Sequence, residues 1–254
     1  VAEFEIGLVL PDVLGTYGDD GNALVLRQRA RMRDIDAEIV TIRLGEPVPD
    51  SLDVYTMGGG EDTAQILAAE HLIADGGLSR AADAGAPILA ICAGLQVLGE
   101  SFRASGKYVD GVGLLDASTT PMQQRAIGEV ATQPTRAGIT AELTEPLTGF
   151  ENHLGGTILG SEAEPLGRIT HGVGNSDRST AEDLPDVQRQ RSAEGAVQGN
   201  VIATYMHGPV LARNPQLADL LLAKATGQRL DELEPLEIAA IDRLRIERLD
   251  AAKK

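Results

Sequence analysis

Residues 87–102 read PILAICAGLQVLGESF. Pro87–Ile91 is an apolar run of strand length, and it ends directly on Cys92, the only cysteine of the chain. Ala93 and Gly94 follow, and a helical pattern begins at Leu95. This is the form of a strand-to-helix elbow, which exposes a nucleophile at a sheet edge. The first turn of the following helix aims its amides and positive dipole end at that nucleophile, which favours a thiolate. Ala90, two residues before, and Gly94, two after, are small, as close chain approach in a tight elbow requires. A free cysteine often only fills core space. Here the surrounding pattern argues for chemistry instead.

Working outward, the same strand-then-helix alternation recurs. Phe4–Leu10, Glu38–Arg43 and Asp53–Met57 read as strands. The loop Pro11–Asn22, PDVLGTYGDDGN, is dense in Gly and Asp and leads into a helix through about residue 34. Gly58-Gly59-Gly60 follows the third strand; a helix capped by Asp62 then runs to about Ala84, with a break at Gly76-Gly77. Alternation of this kind implies a parallel sheet with helices on both faces. From Lys107 to Ile202 short β-like, Gly- and Thr-rich runs take over, so this half is expected to be strand-rich and partly antiparallel. Residues 174–195 are polar and read as a long surface loop or lid, which gates the site or docks a partner. Val201–Met206 is a strand that delivers His207 into Gly208-Pro209. Asn214-Pro215 opens a helix to Ala225, which Gly227 can stop. Residues 230–252 form an amphipathic helix candidate with Leu233, Leu236, Ile241, Leu244 and Leu249 on one side. The expected organisation is an α/β domain over 1–228 and a C-terminal helical tail over 229–254.

Composition narrows the function. Of the 254 residues 43% are hydrophobic, enough for a sizeable core, but only 3% are aromatic, so that core is aliphatic and Ala-rich. A net charge of −16 excludes the basic footprint that nonspecific nucleic-acid binding requires. It also disfavours docking on anionic lipid. One cysteine allows no internal disulfide, which fits a reducing compartment. The first residues lack the pattern of a signal peptide, and no apolar run approaches the ~20 residues of a membrane span. A cytoplasmic location is expected.

A thiol nucleophile needs a base. Of the four histidines, His71 lies inside a helical run and His171 borders the polar loop. His207 ranks first, because a strand end followed by Gly-Pro fixes its orientation; His153, in FENHLGG, ranks second. Acyl transfer also needs amides to meet the developing oxyanion. The Gly58–Gly60 segment and the amide of Ala93 are the candidates. No Gly-Lys-Ser/Thr follows the three glycines, so they are not a Walker loop, and no CxxC or HExxH supports a metal site.

With these residues assembled, ICAGLQVLG resembles the elbow of class I, triad-type glutamine amidotransferases, and MGGGEDTAQ is similar to their oxyanion strand-loop. TYMHGPVLARNPQLADLLL resembles the histidine segment of the cobyric-acid-synthase-like branch. LPDVLGTYGDDGN, QQRAIGEV, LTGFENHLGGT and the YMHGP block together resemble the glutaminase subunits of lipid II isoglutaminyl synthases, over about residues 4–227. The resemblance implies a flavodoxin-like α/β sandwich with a largely parallel central sheet and an added antiparallel portion. It implies that Cys92 attacks the side-chain amide of L-glutamine and that His207 moves the proton. Ala93 with Gly59 and Gly60 would hold the oxyanion, Gln96 would contact substrate, and Arg125 would take the substrate carboxylate. It implies further a Mur-ligase-like (MurT-like) synthetase partner. That partner would carry ATP and Mg²⁺ and use the ammonia to amidate the D-glutamate α-carboxyl of lipid II. This chain would need no cofactor, and the lipid-linked acceptor allows a position near the inner membrane face. The wider class has a glutamate two residues after the histidine, where this chain has Pro209. The triad is therefore expected to be incomplete here and completed by an acidic residue of the partner. Corrinoid side-chain amidation is the competing enzyme reading, although those proteins fuse a P-loop domain absent here. A silent amidotransferase-like scaffold and a thiol peptidase are the remaining alternatives.

Overall fold

The fold is described from a computed structural model, over residues 3–177, 188, 190 and 192–251. In chain order its strands and helices are β1 (Phe4–Val9), α1 (Pro11–Leu14), α2 (Gly21–Arg31), β2 (Ala37–Ile42), β3 (Val54–Met57), α3 (Asp62–Asp75), α4 (Gly77–Asp83), β4 (Ile88–Ile91) and α5 (Ala93–Leu98). There follow β5 (Ser101–Ala104), β6 (Lys107–Asp110), β7 (Ala117–Pro134), β8 (Leu147–Leu159), β9 (Gly167–His171), β10 (Ala193–Glu194), β11 (Ala196–Gln198) and β12 (Val201–Thr204). The last three helices are α6 (Val210–Arg213), α7 (Pro215–Ala225) and α8 (Ala239–Ala251).

The strands form two sheets. The first has the order β11-β12-β4-β3-β1-β2 and is parallel except for β11. β3, β4 and β12 are buried along their whole length, as strands covered on both faces must be. Helices α2 and α7 pack together, α2 against β1 and β2 and α7 against β3, while α3 and α5 pack with each other. Arg29 of α2, 4% exposed, makes a bidentate pair with Asp219 of α7 at 2.7 and 2.6 Å. That fork geometry is what allows an arginine to be buried between two helices. The second sheet, β10-β9-β7-β5-β6 with β8 on β7, is antiparallel except for the β5–β7 pair. The expected parallel core with an antiparallel addition is therefore what the chain adopts.

Some local readings change. The cap of α3 is Glu61, not Asp62, whose carboxylate instead accepts the amide of Ser105. The break at Gly76 is a left-handed turn at φ 70°. The segment 174–195 is not a surface loop at its ends. Asn175 is fully buried and exchanges two hydrogen bonds with Gly195, and Gln190 clamps both backbone groups of Leu159. Residues 178–187, 189 and 191, where a lid was expected, lie outside the described residues. The helix expected over 230–252 begins only at Ala239, and its apolar stripe is partly covered: ahead of α8 Leu233 is buried, and within α8 Ile241 and Leu249 are half-buried. Leu244 is 42% exposed, and the buried side chain is Arg245, which reaches the carbonyls of Arg213 and Pro146. A guanidinium can satisfy the orphan carbonyls at the end of α6, which leucine cannot.

Glu194 of β10 is wholly buried and accepts from Thr204 Oγ1 at 2.6 Å and from the Tyr205 amide at 2.8 Å. Burial pushes its carboxyl up to about 7 against the pull of those two bonds, and the nearby charge of Glu151 adds to the rise. A carboxyl with a raised folded-state pKa binds its proton more tightly in the folded chain. Stability is then highest at and below about pH 4.5, falls as pH rises through about 7, and stays at the lower level above. The span corresponds to about 3 kcal/mol. Glu194→Gln is expected to flatten this slope, read as urea midpoints at pH 5 and pH 8. An unchanged slope in the variant would place the effect elsewhere.

Candidate active site

The C-terminal ends of parallel strands are where an open α/β sheet builds its sites, and three neighbouring strand ends converge here. Cys92 follows β4 at φ 52° and ψ −104°, a strained conformation for a residue with a Cβ. The strand β12 beside it holds the turn in place, because the Cys92 amide donates to the Thr204 carbonyl at 2.8 Å. Gly94 has no space for a side chain: a Cβ there would lie 3.1 Å from the Gly58 carbonyl oxygen and 3.3 Å from the Ala90 Cβ. The small residues around the elbow therefore serve the close approach expected of them. The helix begins at Ala93, two residues earlier than Leu95 suggested.

His207 stands after β12, tied to β8 by a reciprocal backbone pair with Phe150 at 2.9 and 3.1 Å. Its Nδ1 donates to the carboxylate of Asp19, 3.0 Å from each oxygen. This corrects the expected gap in the triad. Pro209 does take the glutamate's place, but its ring packs against Gly21, and the carboxylate comes from the loop between α1 and α2 of the same chain. Asp19 is buried, and its Oδ2 also accepts the amide of Gly59 at 3.0 Å. Asn22 fixes that loop by donating to the Asp19 carbonyl and accepting the Leu211 amide. Nε2 of His207 is buried without an aligned partner among the described residues, yet it lies near enough to Cys92 for the two to interact. Burial lowers the imidazole pKa, but bonding to Asp19 and Cys92 and their charges outweigh it and push it up to about 10. An imidazole raised this far is a strong acceptor at Nε2 for the proton of Cys92. Its contribution to stability is fully present below about pH 6.5 and is lost as pH rises through about 10.

Gly59 takes a different place from the one expected. Its amide is engaged by Asp19, so it is not turned toward substrate. A Cβ on it would sit 3.3 Å from both the Cys92 Cβ and the His207 Cε1. A side chain on Gly59 would thus crowd both Cys92 and His207. Gly60 lines the cavity and is left, with Ala93, as the oxyanion candidate.

A cavity of about 330 Å³ opens from Cys92. Gln96 and Arg125, the expected substrate contacts, both line it. Gln96 is buried, with Nε2 donating to the Tyr205 hydroxyl at 3.2 Å. Arg125 sits at a register shift between Pro121 and Ala126, where the β7–β8 ribbon bulges, and its Nη1 donates to Asn152 Oδ1 at 3.1 Å. A bulge re-aims side chains, and here it turns an arginine toward the pocket mouth. His153 lines the far wall instead of serving Cys92. Its Nδ1 donates to the Gly155 carbonyl at 2.8 Å and its ring stacks on Tyr205 at 3.7 Å. The sequence reading missed Asp19, Tyr17 and Gln65. Tyr17 lies with its ring 5.0 Å from that of His207 and donates to Glu61 at 2.9 Å. All three sit in loops or first turns that follow β1 and β3, of which β3 lies beside β4 and β1 beside β3, which was a usable signal.

Nucleophile, imidazole and orienting carboxylate in this order can carry out acyl transfer through a covalent thioester. Comparison with known proteins gives the family. The profile of the CobB/CobQ-like glutamine amidotransferase domain matches residues 5–215. The lipid II isoglutaminyl synthase (glutamine-hydrolyzing) subunit GatD of Staphylococcus aureus (strain N315) is 35% identical over 239 residues, covering 93% of this chain and 90% of its own length. Its namesake from Streptococcus pneumoniae (strain ATCC BAA-255 / R6) is 30% identical, over 88% of this chain and 80% of its own. A crystal structure of a glutamine amidotransferase matches with a TM-score of 0.54 at 19% identity, over 87% of this chain and 98% of that one, a likeness of fold.

Proposed function

The chain belongs to the CobB/CobQ-like glutamine amidotransferase family, and on that footing we propose that it is the glutaminase subunit of a lipid II isoglutaminyl synthase. The Cys92–His207–Asp19 constellation at the head of the cavity carries this reading. The Cys92 thiol gives its proton to His207 Nε2 and attacks the γ-carbonyl carbon of L-glutamine, forming the C–S bond. Asp19 holds Nδ1–H and balances the imidazolium. The amides of Ala93 and Gly60 meet the oxyanion. His207 then protonates the departing nitrogen, the C–N bond breaks, and ammonia leaves behind a γ-glutamyl thioester. Water, deprotonated by His207, releases glutamate and restores the thiol.

Ammonia lost to neutral water is protonated and no longer nucleophilic, so it must be handed to a second site. That site belongs to a Mur-ligase-like synthetase partner, which holds ATP and Mg²⁺, activates the D-glutamate α-carboxyl of lipid II and yields D-isoglutamine. Among the described residues no helix is long and apolar enough to cross a membrane. The reading places the pair in the cytoplasm, at the membrane face where a lipid-linked acceptor is reached.

The test has two stages. Purified chain with L-glutamine should release glutamate; addition of the synthetase subunit, ATP and lipid II should convert the stem peptide to its isoglutaminyl form, read by mass spectrometry. Glutamate release with amidation of a corrinoid but not of lipid II would overturn the acceptor. Arg125 supplies a third measurement. It contacts the carboxylate end of the substrate, remote from the sulfur, so Arg125→Ala is expected to raise KM roughly 10- to 100-fold with little change in kcat, the pattern of lost uniform binding. An unchanged KM would remove Arg125 from the substrate site.

A further inference from the structure

Gln65, at the end of the first turn of α3, is 7% exposed and lines the same cavity as Cys92. Its Nε2 donates to the Gly60 carbonyl at 3.2 Å. That bond settles the orientation of the amide, because the flipped arrangement would set Oε1 against another acceptor. Oε1 is thereby turned away from Gly60, and it has no hydrogen-bond partner among the described residues. A buried acceptor left unpaired keeps the full cost of its desolvation. Methionine would fill the volume without that cost, so the free oxygen points to a ligand.

The other polar groups of the cavity show what kind of ligand. The amide nitrogen of Gln96 is engaged by Tyr205, Nδ1 of His153 by Gly155, and the Glu61 carboxylate by Tyr17. His153 Nε2, 3.8 Å from Glu151, also lacks a hydrogen-bond partner among the described residues; beside it the cavity offers a guanidinium at Arg125 for a carboxylate and a fixed acceptor at Gln65 for an N–H. We propose that Gln65 is a specificity residue: its Oε1 accepts a hydrogen bond from a nitrogen donor of the bound amino-acid amide. The inference rests on the glutaminase reading. L-Glutamine has two such donors, the α-ammonium and the γ-carboxamide, and the experiment separates them.

Binding is measured by calorimetry in a Cys92→Ala background, where turnover cannot interfere. Three ligands are compared: L-glutamine, 4-carbamoylbutanoate, which lacks the α-ammonium, and L-glutamate γ-methyl ester, which lacks the γ N–H groups. Gln65→Met is expected to weaken L-glutamine roughly 10- to 100-fold while leaving one analogue within about twofold of its affinity before the change. An insensitive carbamoylbutanoate identifies the α-ammonium; an insensitive methyl ester identifies the γ-amide. Gln65→Glu retains an acceptor and should bind L-glutamine more tightly than Gln65→Met does. An equal loss for all three ligands would make Gln65 only an anchor of the Gly60 loop and overturn the proposal, as would no loss for any. Failure of the otherwise unaltered chain to hydrolyse glutamine would instead overturn the glutaminase reading beneath it.

Discussion

Cys92→Ala is expected to lower glutamine hydrolysis by roughly 10⁴-fold or more, to the level left by the remaining site. The sulfur is the atom that becomes bonded to substrate, so no residual pathway through a thioester survives. The variant should nevertheless remain folded. Alanine keeps the Cβ, the amide bond to Thr204 and the strained φ of 52°, so the backbone energetics of the elbow are unchanged. Thermal midpoints should agree within a few degrees while activity vanishes. Labelling separates the two sources of loss: the unaltered chain should take up one equivalent of 6-diazo-5-oxo-norleucine at Cys92 and the variant none. An alanine variant that still forms the adduct, or still hydrolyses glutamine at a tenth of the rate, would remove Cys92 from the chemistry. A chain that never reacts with the electrophile would be a scaffold.

The elbow was legible in sequence because its requirements are local. A strand, a nucleophile and two small residues occupy seven consecutive positions, Ile88–Gly94, and each constraint acts on a neighbour in the chain. His207 was legible for the same reason, as the residue that leaves a strand. Asp19 was not. It stands 188 residues from His207 in a loop with two adjacent aspartates, and nothing local separates Asp19 from Asp20. Only the strand order, which sets β1 beside β3 and β3 beside β4, brings that loop over the site. Gly59 was assigned to the right neighbourhood but the wrong duty, since the direction of one amide depends on the same distant carboxylate. The C-terminal helix failed differently. Its leucines follow a helical period, but the carbonyls exposed at the end of α6 select Arg245 for the buried position. Burial there follows hydrogen-bond demand and not hydropathy.

Asp19→Asn is expected to lower kcat by roughly 10³- to 10⁴-fold with a small effect on KM, by analogy with the orienting aspartate of serine proteases. The physical reason is the sign of one hydrogen bond. Asn Oδ1 would keep the Gly59 amide, which leaves the NH₂ group facing His207 Nδ1. That NH₂ group opposes Nδ1–H and favours the other tautomer, with Nε2 carrying the proton and unable to accept one from Cys92, while Asn Oδ1, 3.0 Å from the ring, is the weaker competing acceptor. Loss of the carboxylate charge also removes much of what holds the His207 pKa near 10, and an imidazole titration followed by NMR should show the value fall toward the range of an ordinary histidine. The same variant decides where the third residue of the triad resides. With Asp19 in that role, adding the synthetase subunit raises both chains by the same factor and the deficit persists in the complex. If the partner instead restores Asp19→Asn to the activity of the unaltered complex, the working carboxylate comes from the partner, and Asp19 only secures the Gly59 amide.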